Sequence, residues 1–189
     1  MMKNENDLLA AIAEDAWMME VLEIAKSLGL PDWWICAGFV RTKIWDSLHG
    51  FEERTPLADI DVVYFDPEKT HESEEKRFEE QLEQLKPGLP WSVKNEARMH
   101  HINNLSPYLS SIDAISKFPE TATALAVKLD ENHQLILAAP CGINDAMNLT
   151  VKPTPHFIEN KELAAVYENR LMKKNWLAKW PKLAIFQNV

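Results

Sequence analysis

Residues 35–50 read ICAGFVRTKIWDSLHG, and the chain resumes at residues 59–66 with DIDVVYFD. The first stretch passes from a short apolar run through Gly38 into a helical pattern that closes at Gly50. The second sets two acids, one residue apart, at the head of a β-branched run that Asp66 and Pro67 stop. In a strand, residues i and i+2 share a side, so Asp59 and Asp61 project together while Ile60 points into the opposite layer. Like charges held that close are unfavourable unless a cation sits between them, and an all-oxygen donor set suits Mg²⁺ or Mn²⁺. Alone, two acids in this spacing also describe a solvent-facing strand start. The strand-to-helix turn at Gly38 adds weight, because backbone N–H groups and the helix dipole can meet phosphate oxygens there. One turn inside the helix, the Arg41 guanidinium can pair with those oxygens.

Working outward, apolar residues recur at helical spacing from Leu8 to Leu28, predicting one long helix or two short ones before Pro31. WWICA reads as a buried strand, Phe39–Leu48 as a helix, and IDVVYF as the next strand. Ser73–Lys86 forms a charged amphipathic helix, and WSVKNEARMH, residues 91–100, reads as a third strand. On such a strand His100 and His101 would point to opposite faces and could not share a metal. TALAVKLD and HQLILAA form a hairpin, and Ile158–Trp180 a terminal helix with Leu163, Val166, Tyr167 and Leu171 facing inward. The class is α/β (α+β), a short mixed sheet flanked by helices with helices at both ends. We expect a single domain over 1–189 with a core at about 30–155 and a terminal helix at 158–180, in keeping with 189 residues that are 46% hydrophobic and 26% charged.

No apolar run approaches the roughly 20 residues that span a bilayer, and the N-terminus lacks the apolar core of a secretory signal, so a cytoplasmic protein without membrane partners is expected. Cys36 and Cys141 lack metal-ligand spacing and read as core or near-core thiols. The net charge is −9, unevenly spread: from Arg170 onward there are five cations and no acid, while the preceding part holds 15 cations against 29 acids, a balance of −14. An acidic body repels polyanions, so a long nucleic acid is not an expected partner. Trp176 and Trp180, four apart, could stack on bases, but on a terminal helix they more simply dock it, leaving its lysines as a solvated rim.

AGFVRTKIWDSLHG followed by DIDVVYFD resembles the polymerase-β-type nucleotidyltransferase superfamily. Within it the sequence is most similar to a bacterial family of uncharacterised nucleotidyltransferases, through VKNEARMH, PETATALAVKL and APCGINDAMNLTVKP as well, which covers most of residues 30–155. The glycine turn with Val40 and Arg41 is also similar to the head of tRNA CCA-adding enzymes. The resemblance implies a nucleotidyltransferase fold and a metal-dependent transfer of a nucleotidyl group from a nucleoside triphosphate to a hydroxyl or phosphate of a small-molecule or protein acceptor. Asp59 and Asp61 would be catalytic and hold the metal; Gly38, Phe39 and Arg41 would bind the nucleotide. Glu96 stands where relatives bring a third carboxylate, and Asn95 and Arg98 on the same stretch could reach the substrate. One departure is clear: Phe39 follows Gly38 where many relatives have a serine, so its hydroxyl for the triphosphate is missing. Two other readings stay open, a catalytically silent nucleotide- or partner-binding module of the same fold and a D-x-D glycosyltransferase.

Overall fold

The computed structural model describes residues 2–187. Helices α1 (Glu5–Ala13) and α2 (Ala16–Ser27) are separated where the Asp15 carboxylate caps α2 by accepting from the Met18 amide, so the N-terminal pattern forms two helices. Strand β1 (Trp34–Cys36) turns into α3 (Gly38–His49), followed by β2 (Ile60–Tyr64), α4 (Glu72–Leu85) and β3 (Trp91–Asn95). Helices α5 (Glu96–Met99) and α6 (Ser111–Ser116) precede the hairpin of β4 (Ala126–Leu129) and β5 (Leu135–Ala138). The chain ends through α7 (Asn144–Met147), β6 (Thr150–Val151), α8 (Pro155–Glu159), α9 (Ala164–Lys174) and β7 (Ala184–Ile185).

The fold is mixed α/β. One five-stranded sheet has the order β3-β2-β1-β4-β5, with β2 and β3 parallel and the other pairs antiparallel; β6 and β7 form a small parallel pair. Strand alternation divides the side chains of the sheet between two layers. Ile35, Ile60, Val62, Tyr64, Val93 and Val127 pack against α1 to α4 in the main core, which extends to Trp176, Trp180 and Leu183 near the C-terminus. Trp34, Cys36, Val63 and Ala126 face the other way into a smaller cluster with Ile115 of α6. Asp61, opposite Cys36 in the β1–β2 pairing, shares the parity of Val63 and lies on this thinly covered face.

Two elements differ from the reading of the sequence. The third strand ends at Asn95, whose side chain accepts from the Ala97 amide and starts α5, so Glu96 to Asn103 are helical and not extended. His100 and His101 consequently stack, with ring centroids 3.8 Å apart, instead of pointing to opposite faces. The terminal segment is also not one helix: α8 and α9 are separate, and Asn175 in the left-handed region (φ 42°) ends α9 before a 3-10 turn at Trp176–Ala178. Within α9, Val166 is 41% exposed while Tyr167 is fully buried.

Candidate active site

The turn from β1 into α3 is made by Ala37 at φ 54° and ψ −113°. A non-glycine residue there carries strain of about 1–3 kcal/mol, of a kind that gathers at functional sites. Two hydrogen bonds hold it: the Ala37 amide donates to the Leu125 carbonyl, and the Ala37 carbonyl accepts from the Arg41 amide, each at 3.0 Å. Gly38, the first helical residue, does not have a positive φ. A Cβ built on it would stand 3.5 Å from Arg41 Nη2 and 4.0 Å from Asp59 Oδ1, ordinary contact distances. Neither backbone nor crowding therefore demands glycine. Its missing side chain instead leaves an opening between a cation and an anion.

Asp59 and Asp61 lie at the head of β2, two residues apart. Burial, and next the charge of Asp59, push the Asp61 carboxyl up to about 6; Lys174, Arg170 and Arg41 pull in the opposite sense. Cys36 on the same face is raised well above the usual thiol range, first by burial and then by Asp61, Glu96 and Asp59, so it is an inert thiol surrounded by acids. Arg41 is 7% exposed. Its guanidinium carbon lies 4.7 Å from the centre of the Trp176 ring and 5.1 Å from that of Trp45, and its Nε is buried with no acceptor. Burial draws its pKa down to about 10, which leaves it cationic at neutral pH.

Gly38, Arg41 and Asp59 border a cleft of about 300 Å³. Gly38, Arg41, Thr42 and Asp59 line it from the front of the chain; Lys173, Lys174, Trp176 and Lys179 line it from the back. One carboxylate ties both contributions together. Asp46 of α3 accepts from Trp180 Nε1 at 2.7 Å, from the Thr55 amide at 2.8 Å and from Thr55 Oγ1 at 2.7 Å. The tail tryptophans do dock inward, both 3% exposed, with rings 5.5 Å and 5.1 Å from Trp45. The lysines do form a rim, but it is the rim of this cleft. The sequence signal was the acid-free cationic run after residue 170; its destination was not readable.

The other residues singled out are placed differently. Phe39 is 2% exposed in the main core, 6.0 Å ring to ring from Trp17, and is not among the residues that line the cleft. Glu96 is 5% exposed; burial, then Asp61 and Glu75, push it up to about 8, so it carries its proton at neutral pH. Among the described residues no group of three His, Cys, Asp or Glu side chains is arranged to hold a metal, and Glu96 lies within reach of the Asp61 charge. Asn95 spends its side chain on the backbone, accepting from the Asp66 amide at 3.0 Å and the Ala97 amide at 3.1 Å, and donating to the Asp66 and Lys69 carbonyls at 2.8 and 2.9 Å. Arg98 clasps Glu75 through Nε and Nη2 at 2.6 and 2.7 Å. The structure thus brings Gly38, Arg41 and Asp59 to one cleft, leaves Asp61 under the charge of Asp59 two residues away, and commits Asn95 and Arg98 to internal bonds.

A glycine elbow, a buried arginine beside it and two acids at the head of the next strand occupy one end of the sheet. Residues 23–185 match a family model described as nucleotidyltransferase, and the chain belongs to that family. A solved structure described as an NMR structure that reveals a CCA-adding enzyme head domain is 39% identical, covering 99% of this chain and 98% of its own, with a TM-score of 0.90. More distant structures share the fold. A CCA-adding enzyme in complex with CTP is 16% identical over 99% of this chain, TM-score 0.57, and the Thermotoga maritima CCA-adding enzyme complexed with tRNA is 16% identical over 99%, TM-score 0.55. This chain covers 44% of each of those two enzymes. No curated protein matches it. Among the described residues no helix is long and apolar enough to cross a membrane.

Proposed function

We propose that the protein is a divalent-metal-dependent nucleotidyltransferase that uses a nucleoside triphosphate and a small-molecule or protein acceptor. The observation that carries this reading is the opening at Gly38, flanked by Arg41 Nη2 and Asp59 Oδ1 at the mouth of one cleft. A phosphate can approach the first amides of α3 there, as the dipole of a twelve-residue helix favours. Asp59 and Asp61 fit Mg²⁺ or Mn²⁺: they are adjacent oxygen donors whose mutual repulsion a cation would relieve. When bound, the metal would supply charge neutralisation at the transferred phosphoryl.

The chain's own residues then orient and neutralise. Arg41, fixed between two indoles, turns a guanidinium that lacks an internal acceptor at Nε toward the phosphates. The acceptor oxygen bonds to the α-phosphorus, the bond from that phosphorus to the oxygen bridging to the β-phosphate breaks, pyrophosphate leaves with the electron pair, and the hydroxyl proton passes to water. The body preceding Arg170 carries −14, which supports a small-molecule or protein acceptor over a long polyanion where the lysines at the cleft are taken up by the triphosphate. The cytoplasm, where nucleoside triphosphates are made, suits this reading.

The test is incubation with each α-labelled nucleoside triphosphate, Mg²⁺ and a fractionated extract. Label transferred to an acceptor, with pyrophosphate released in equal amount, is the expected result. Binding of triphosphate without transfer under every condition would favour the second reading, a silent nucleotide-binding module.

A further inference from the structure

Five cations follow residue 169, and the structure sorts them into two groups. Arg170 is answered inside the fold, its Nε 2.6 Å from Oε1 of the fully buried Glu120. Lys182 donates to the Leu48 carbonyl at 3.3 Å. Lys173, Lys174 and Lys179 make no hydrogen bond or ion pair among the described residues, and all three line the cleft of Gly38 and Asp59. Lysines in the last turn of a helix complement its dipole, which would account for Lys173 and Lys174 of α9. It does not account for Lys179, which lies beyond the left-handed Asn175 and the 3-10 turn and still borders the same cleft. Three ammoniums around one opening repel each other. Arg41, nine-tenths buried with an unpartnered Nε, adds a fourth positive charge. An arrangement of this kind is stabilised by an anion with several charged oxygens along its length.

We propose that segment 173–180 is a polyphosphate clamp, in which Lys173, Lys174 and Lys179 together with Arg41 hold the β- and γ-phosphates of the triphosphate and then the departing pyrophosphate. The proposal rests on the nucleotidyltransferase reading for the identity of the ligand. The clamp stands in for the hydroxyl that Phe39, after Gly38, does not supply. Trp176 and Trp180 set its position: the first packs on Arg41, and the second is bonded to Asp46 of α3. Lys174 and Asp59 line the same cleft. The site would therefore count phosphates, favouring a triphosphate over a monophosphate through groups that never touch the base or sugar.

The test uses the full chain without metal, titrated calorimetrically with inorganic tripolyphosphate, pyrophosphate and AMP. Wild type should bind in that descending order. A Lys173→Gln, Lys174→Gln, Lys179→Gln variant should lose about tenfold or more in tripolyphosphate affinity, the scale of charge-assisted hydrogen bonds, with AMP unchanged. Its melting temperature should stay near wild type, because none of the three lysines bonds within the fold. Unchanged tripolyphosphate affinity in the folded variant overturns the clamp. So does loss of low-salt tRNA retention alone, which would assign the lysines to a nucleic-acid backbone. Lysine-dependent tripolyphosphate binding without transfer from any triphosphate would keep the clamp and sink the transferase. Transfer with an unmoved KM for triphosphate in the variant would do the reverse.

Discussion

The chain buries carboxylates in two ways. Glu75 and Glu120 have fully buried side chains, and each is answered from within. Glu75 takes Arg98 at 2.6 Å and the Asn95 amide at 2.9 Å; Glu120 takes Arg170 at 2.6 Å and Thr123 Oγ1 at 2.8 Å. Asp61 and Glu96 are also withdrawn from water, yet among the described residues no cation bonds to either. Burial first, and neighbouring acids next, push them up to about 6 and about 8. The residue chemistry is the same and the loss of hydration similar; what differs is whether the fold provides the counter-charge. Where it does, the acid is a structural joint. Where it does not, the carboxyl stays raised, and on the proposed reading a metal ion would answer Asp61.

Arg98→Ala puts this contrast under the heaviest load. Removing the partner of a fully buried Glu75 should cost about 3–5 kcal/mol in denaturant unfolding, while triphosphate affinity of the folded protein stays at wild type. A loss below about 1 kcal/mol would mean that Glu75 is not held as a joint at all.

Glu96→Gln examines the other class through pH. Glu96 takes up its proton at about 8 in the folded chain against an ordinary 4.5. Between those values the folded chain binds more protons than the unfolded one, so this group lowers stability as pH rises, by at most about 1.4 kcal/mol per pH unit. Melting curves of wild type and variant should run together near the acid end of that window and separate toward the alkaline end, with the variant ahead. Parallel curves would show that Glu96 is already answered.

Arg41→Ala should weaken triphosphate binding by about 1.5–3 kcal/mol, the range for a hydrogen bond to a charged group. Unaltered affinity in a titration would make Arg41 a packing element between its two indoles and nothing more. Asp61→Asn should have the smallest effect on the metal-free protein, whose melting temperature stays level or rises as the repulsion from Asp59 disappears. Its thermal stabilisation by Mg²⁺ with triphosphate should vanish. A marked drop in the metal-free melting temperature would place Asp61 among the structural acids instead.

Much of the scaffold was legible because its signals are local. Short apolar and β-branched runs identified β1, β2 and the β4–β5 hairpin, and Gly38 with Gly50 bracketed α3 to within a residue. The third strand was read too long because Asn95, an ordinary polar residue in a strand pattern, is recognisable as a helix cap only once α5 exists beneath it. The terminal helix was read as continuous because nothing in the composition announces that Asn175 adopts a left-handed turn. Arg98 and Asn95 looked available as binding groups; their partners Glu75, Asp66 and Lys69 lie more than twenty residues away along the chain.

By itself, the sequence determined the glycine elbow, the helix that follows it and the strand that Asp59 and Asp61 open, because a 3.6-residue period, a β-branched run and the bareness of glycine act within one element. Only the tertiary structure decided which charges are answered. That Arg170 finds Glu120, that Trp180 finds Asp46 across 134 positions, and that Lys173, Lys174 and Lys179 meet Gly38 and Asp59 at one cleft are outcomes of packing. A charge in a chain has a sign but no neighbour until burial and layer packing select one, and at this cleft that selection separates a solvated rim from a binding surface.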